Sequence, residues 1–504
     1  MEKILNSNRK LYLLLTLWSA VVLMLMSPDS PIHGPWGHCD SAIFFMSGKA
    51  LMNGLRPYVE FTDSKGPLLW LFYGVGYLLS PRSYTGVYVV SVFVYAGVFY
   101  YNYKTARIFL KDENRSLAVT LLMTFAYFLF WFHFEIRAED FSTLPVAVSL
   151  YYMCRMIYGS GDAAAQPTIR HQGLVQGGCF MALLLIKFSI AAMQGIIILI
   201  VLWYLARERK EYFKPVGWMA AGAIAMALPF LIYLWLRGAV PAFIEEYFIN
   251  TYQTLYTITP YTRAEDMKSF YDDILVAWAT PQSLAFFLFI IYGGWMLGRQ
   301  QQSYRYALVL VGVFFFGVAT RHNLGYYYGI CHIFIIFLLI WILSLVAQPF
   351  KIRFFAVIVA VFAAWGIYVN VDEEHQMQRV SVWAQNEDRE HYESIAGVMM
   401  GSSKPRILNL YYWDKGFGLY QEALPAGRYW THQLGATPKM DKQHDLLMEL
   451  KQADYVIVYD EMSASLFGCP PGKILSCGYT RCLRTTHVIN NKKPVCSAVY
   501  KRKR

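Results

Sequence analysis

The stretch that decides the reading runs His38-Cys39-Asp40-Ser41-Ala42, then Asn53-Gly54-Leu55-Arg56-Pro57-Tyr58, then Asp63-Ser64-Lys65-Gly66-Pro67-Leu68-Leu69. It follows the first apolar run of a chain that is mostly membrane. Acids, a lysine and turn residues are costly beside a bilayer, so they are expected there only in a solvated loop or where they do something. A carboxylate and a cation set between hydrophobic segments suit chemistry on a charged lipid headgroup.

Composition supports the membrane setting. Of 504 residues 56% are hydrophobic, 17% aromatic and only 16% charged, and the mean hydropathy is +0.32. Soluble domains carry roughly 25% charged residues. The net charge of +11 does not point to nucleic acid, because the basic residues fall in short loops between apolar runs, as the positive-inside rule predicts.

A span needs roughly 20 apolar residues. The runs near 11–27, 85–103, 116–134, 141–158, 173–187, 189–206, 214–236, 281–298, 306–320, 325–347 and 354–370 qualify, which predicts a polytopic α-helical protein of about 11 spans. Lys3, Arg9 and Lys10 put the N terminus in the cytoplasm, and the first run reads as an uncleaved signal-anchor. The apolar run 67–80 is short for a span, and Lys104, Arg107, Lys111 and Arg115 after the next run require a single crossing between them and the Asp40 loop. The run therefore reads as a helix lying in the outer interface. Glu139, Asp140, Lys187, Arg321 and His322 then fall outside, with the tail from about 371.

The expected organisation is a transmembrane domain 1–370, its active-site outer loop 28–84, and an extracytoplasmic α/β domain 371–504. Strands are predicted at 406–412 and 455–459, and helices near 385–399 and 441–452. Cys469, Cys477, Cys482 and Cys496 cluster in that tail. Placed outside, they are candidates for disulfides with three pairings open; their spacing fits no standard zinc set. No repeat or low-complexity segment occurs.

Asp40 opens an amphipathic helix that stops at Asn53-Gly54. It reads either as a cap or as a general base. Glu139 and Asp140 form a second acidic pair, read as orienting an acceptor or a cation, or as N-terminal caps before Pro145. Arg321 suits bidentate grip of phosphate oxygens or an interfacial anchor, and Lys187 a phosphate contact or a snorkelling hairpin lysine. His33, His38 and His332 lack tight ligand spacing and read as satisfied or solvated histidines. No Gly-rich phosphate loop or nucleophile elbow is present, and the inside loops are too short for a nucleotide-sugar domain. That favours a lipid-linked donor.

The acid after the first span, the Gly54-x-x-Pro57-Tyr58 segment and the Lys65-Gly66-Pro67-Leu68-Leu69 run resemble the GT-C glycosyltransferases, nearest the bacterial family 39-type group akin to protein O-mannosyltransferases and lipid A aminoarabinose transferases. The Arg137-Ala138-Glu139-Asp140 loop, the helix–Lys187–helix hairpin and Tyr326-Tyr327-Tyr328 extend the resemblance across the membrane part. Many members carry two prolines after the lysine; here Gly66-Pro67 stands. The resemblance implies an inverting hexosyl- or pentosyltransferase of the bacterial inner membrane, moving a sugar from a polyprenyl-phosphate carrier to a lipid, glycan or protein acceptor in the cell envelope. It implies Asp40 as base, and Lys65, Arg321 and Lys187 around the carrier phosphate. Tyr58, Asp63, Tyr327 and Tyr328 would line the substrate. Some branches use a divalent metal, so a metal stays open. The competing readings are a lipid-linked sugar flippase or transporter, which would want mid-span acids and inverted repeats, and a non-catalytic membrane scaffold.

Overall fold

The computed structural model describes residues 8–27, 30–33, 39–129, 136–159, 167–251, 281–299, 301–320, 325–346, 352–371, 394–399, 401–410, 422–431, 438–458, 470–488 and 494–503. Its helices are α1 (Asn8–Met26), α2 (Cys39–Met52), α3 (Pro67–Leu79), α4 (Thr85–Leu110), α5 (Glu113–Leu129), α6 (Ala138–Tyr158), α7 (Ile169–Ile186), α8 (Phe188–Glu208), α9 (Phe213–Leu236), α10 (Pro281–Gly298), α11 (Ala307–Thr320), α12 (Ile335–Ser344), α13 (Ile352–Val371) and, in the tail, α14 (Pro438–Glu449). Each of the eleven predicted runs falls on a helical segment. Four helices, α1, α4, α8 and α9, are by themselves long and apolar enough to cross a membrane. The others are shorter or carry polar groups, so length and composition alone do not fix the tally.

The chain forms two compact units. The first gathers Met1–Ser27, Ser91–Pro229 and Tyr261–Val371; the second gathers Pro28–Val90, Phe230–Pro260 and Asp372–Arg504. Compactness therefore does not follow the linear boundary at 370. The loop after α1 and the segment after α9 share a unit with the tail, because their buried side chains and hydrogen bonds meet one another.

In the first unit, α1 meets α4 and α13: the Ser19 hydroxyl donates to the Val92 carbonyl at 2.9 Å and Trp18 lies 4.9 Å from Phe362, ring to ring. Gln176 of α7 and Gln194 of α8 converge on Ser149 of α6. The Ser149 hydroxyl donates to Gln176 at 2.6 Å, and the Gln194 amide donates to the Ser149 oxygen at 2.9 Å. Such bonds take the place of the hydrophobic effect, which has little to separate helices from in lipid.

In the second unit, α2 and α3 pack closely side by side, with Phe44 beside Tyr73 and Asn53 beside Tyr77. A Cβ on Gly48 would lie 2.5 Å from the Gly74 nitrogen and 2.8 Å from the Trp70 carbonyl oxygen, so only glycine lets the two backbones approach this closely. Pro67 sits in the first turn of α3 after the cap Gly66, a position where its missing N–H costs nothing. Trp70, Tyr73 and Gly74 face inward, while Leu71, Val75, Leu78 and Leu79 are exposed. That open apolar stripe on a 13-residue helix is what an interfacial helix requires.

The tail holds a five-stranded sheet of β1 (Arg406–Leu410), β2 (Leu424–Pro425), β3 (Tyr455–Val458), β4 (Tyr479–Val488) and β5 (Pro494–Arg502). The order is β2-β1-β3-β5-β4. β1 runs parallel to both β2 and β3, and β5 runs antiparallel to β3 and β4. Leu408, Leu410, Val456, Val458, Tyr479 and Tyr500 pack with Leu447 and Met448 of α14 in its core. The predicted strands coincide with β1 and β3 and the predicted helix at 441–452 with α14. Of 385–399 only 394–399 is described. Cys477 and Cys482 carry free thiols. Cys496 stands opposite Thr486, while Leu483 stands opposite Val499, so Cys482 and Cys496 lie several residues apart along the ladder. That exceeds the roughly 7 Å limit between bridged Cα atoms. Cys469 and the Cys496 side chain lie outside the described residues.

Candidate active site

The outer loop folds back on itself between α2 and α3. Asp40 sits in the first turn of α2, half-buried, where the helix dipole favours an acid. The helix ends in a turn around Gly54 (φ +80), with the Leu55 amide bonded to the Ala50 carbonyl at 3.1 Å, the closing bond of a Schellman motif. Arg237, just past α9, donates to the Gly54 carbonyl. The chain then turns at Tyr58, which adopts φ +63, a region a tyrosine occupies only when held there. What holds it is packing: its ring lies 4.8 Å from Trp70 and 5.1 Å from Phe243. Tyr58, which the resemblance places along the substrate, is fully buried and packs the inside of the loop.

Asp63 and Lys65 follow. Asp63 is 9% exposed. Its Oδ1 accepts from the Ser64 amide at 2.6 Å, and its Oδ2 has no partner among the described residues. The Lys65 ammonium donates to the Ser64 hydroxyl at 2.9 Å and lies 5.7 Å from the centre of the Phe44 ring, one turn along α2 from Asp40. Burial raises the Asp63 carboxyl above its ordinary range; Lys65 opposes the rise and the charge of Asp40 adds to it. Asp40, Asp63 and Lys65 thus act on one another electrostatically, although they are spread over 26 positions of sequence.

In the first unit, Lys187 is the single non-helical residue between α7 and α8, with φ −156 and ψ 112. It is 7% exposed, Glu139 is 5% exposed, and the two form a direct ion pair. Lys187 is therefore neither a snorkelling lysine nor an uncommitted cation; its charge is matched in place. Asp140 accepts the Arg137 amide at 2.9 Å and the Tyr95 hydroxyl, so it caps α6 and ties it to α4. Arg321 and His322 lie outside the described residues, as do Glu135, His38 and the side chains of His33, Tyr327 and Tyr328. His332 is buried. No group of three or more metal-ligating side chains occurs among the described residues.

No protein-family model matches the sequence, and no curated protein matches it. Solved structures do. ArnT from Cupriavidus metallidurans, bound to undecaprenyl phosphate, matches over 97% of this chain and 97% of its own with a TM-score of 0.55 and 10% identity; its apo form gives 0.57 and 11% over the same shares. The chain shares the fold of this ArnT. AglB from Archaeoglobus fulgidus overlaps at a TM-score of 0.41 with 10% identity, over 98% of this chain and 74% of its own, too distant to carry weight. The sequence picked out Asp40, Asp63 and Lys65, and the fold brings Asp40 and Lys65 near enough to act on the Asp63 carboxyl. The sequence missed Phe44 beneath Lys65 and Tyr95 against Asp140. Neither has a local signal, since an aromatic on a membrane helix is ordinary.

Proposed function

We propose that the protein is a membrane glycosyltransferase that moves a sugar from a polyprenyl-phosphate carrier to an acceptor in the cell envelope, on the outer face of the cytoplasmic membrane. The observation that carries this reading is the convergence of Asp40, Asp63 and Lys65 in one folded loop. The fold shared with ArnT supports it, and that protein has been crystallised with undecaprenyl phosphate.

Lys65 binds the carrier phosphate as a point charge and stabilises the negative charge that grows there as the anomeric C–O bond breaks. Asp40 accepts the proton of the acceptor hydroxyl as its oxygen forms the new glycosidic bond, with inversion at the anomeric carbon. Burial raises the Asp63 carboxyl and the charge of Asp40 adds to the rise, so the two carboxyls differ in environment, the kind of difference that divides roles between paired acids. Lys187, already paired with Glu139, adds little net charge, so the phosphate role falls on Lys65. A divalent metal, where one is required, would find its oxygen ligands in Asp40 and Asp63, whose unpartnered Oδ2 fits a hard cation.

The test uses the purified protein in lipid with a panel of radiolabelled polyprenyl-phosphate sugars and an envelope extract. Label is expected to reach acceptor with the wild type and to fall about 10²- to 10⁴-fold with Asp40→Asn. Transfer that survives Asp40→Asn removes Asp40 from the base role; absence of transfer from every donor returns the flippase and scaffold readings.

A further inference from the structure

The loop that carries Asp63 and Lys65 is gripped by the tail. The segment 424–431 begins as the edge strand β2 and continues beside β1 as a strap: the Ala426 amide donates to the Ile407 carbonyl at 2.9 Å and the Asn409 amide to the Trp430 carbonyl at 2.7 Å. Midway along the strap, the Arg428 carbonyl accepts the Thr62 amide at 3.1 Å, the residue just before Asp63. The Arg428 side chain reaches Glu246 at 2.8 Å, and the Tyr429 hydroxyl donates to the same carboxylate at 2.9 Å. Glu246 stands on the π-helical turn Ile244–Asn250, which follows the short helix Val240–Phe243. Tyr247 and Phe243 of those segments pack on Tyr58, at 6.2 and 5.1 Å between ring centres. The loop is thus held at Tyr58 by one element and at Thr62 by another, and Arg428–Glu246 bolts the two elements together. Lys404 adds a second tie, donating to Asn53 at the end of α2 at 2.8 Å.

We infer that Arg428 is a positioning residue: through Glu246 it fixes the strap that sets where Asp63 and Lys65 stand. The tail is then part of the active-site machinery, while touching none of the reacting atoms. Glu246 is buried, so removing the Arg428 charge takes away the cation 2.8 Å from its carboxylate, which is costly. What the loop does once positioned rests on the reading above.

The experiment uses the full chain in lipid nanodiscs with undecaprenyl phosphate as the probe. Two quantities are read: its dissociation constant, and hydrogen–deuterium exchange of the peptide spanning 56–66. Arg428→Ala is expected to weaken binding of order tenfold or more, as misplacement of about an ångström does, and to raise exchange in 56–66 while α5 to α8 keep theirs. Arg428→Lys and the reversed pair Arg428→Glu with Glu246→Arg are expected to recover most of both. Should Arg428→Ala not fold, Arg428→Lys and Tyr429→Phe give graded versions of the same two readouts. Unchanged exchange in 56–66 in these variants overturns the inference. So does unchanged binding where Lys65→Ala weakens it. Binding that is indifferent to Lys65→Ala sinks instead the assignment of the phosphate site, and the exchange result still decides the role of Arg428.

Discussion

At the scale of single residues, charge is placed where something answers it. Lys65 sits half-buried beside the Phe44 ring and donates to the Ser64 hydroxyl, at the edge of the loop that also carries Asp63. Lys65→Ala is expected to weaken undecaprenyl phosphate binding about tenfold to a hundredfold, the worth of one charge-assisted bond, measured in titrations of the protein in nanodiscs. Asp63 gives a pH prediction. Its carboxyl is raised in the folded chain, so the fold holds a proton that the unfolded chain releases. That contribution to stability is complete at acid pH, below the ordinary carboxylate range, and is lost as pH rises through the raised value. Asp63→Asn should therefore melt higher than the wild type at neutral pH, with the gain vanishing toward acid; equal melting at every pH would contradict the burial argument. The Glu139–Lys187 pair behaves differently. Removing one partner leaves a lone charge between helices, so Lys187→Met is expected to cost about 3–5 kcal/mol, and Glu139→Leu with Lys187→Met to restore most of it, as read from denaturation midpoints.

At the scale of elements, close backbone approach explains how α2 and α3 pack side by side. Gly48→Ala forces a methyl against the Gly74 nitrogen, and overpacking of this kind costs about 1–3 kcal/mol. Because Asp40 opens α2 and Lys65 lies just ahead of α3, beside Phe44 of α2, the same variant should also lose transfer activity, measured beside its melting temperature. Loss of stability with full activity would mean this helix contact is not what places those groups. These elements were legible to different degrees. The run 67–80 is the helix α3, Pro67–Leu79; its place in the outer interface is a reading from its length and the charge of the next loop. The glycine contact was not legible, because a glycine in a membrane helix has many ordinary reasons to be there.

At the scale of the whole molecule, the outer loop, the segment after α9 and the tail share one compact unit. Cys482 is exposed on β4, the edge strand of the sheet. A tail outside the membrane predicts that an impermeant maleimide added to intact spheroplasts labels the wild type more than Cys482→Ser; labelling only after lysis would invert the proposed topology. By itself, the sequence determined the membrane class, the helical segments, the α/β character of the tail and the motif residues Asp40, Asp63 and Lys65. These depend on hydropathy, period and local turn chemistry, which are properties of neighbouring residues. Tertiary structure alone decided that Tyr58 is core, that Lys187 is spent on Glu139 and that Arg428 and Glu246, 182 positions apart, clasp the loop. Pairings over such separations leave no mark in a single chain, because each partner is satisfied only once the fold has brought the other to it.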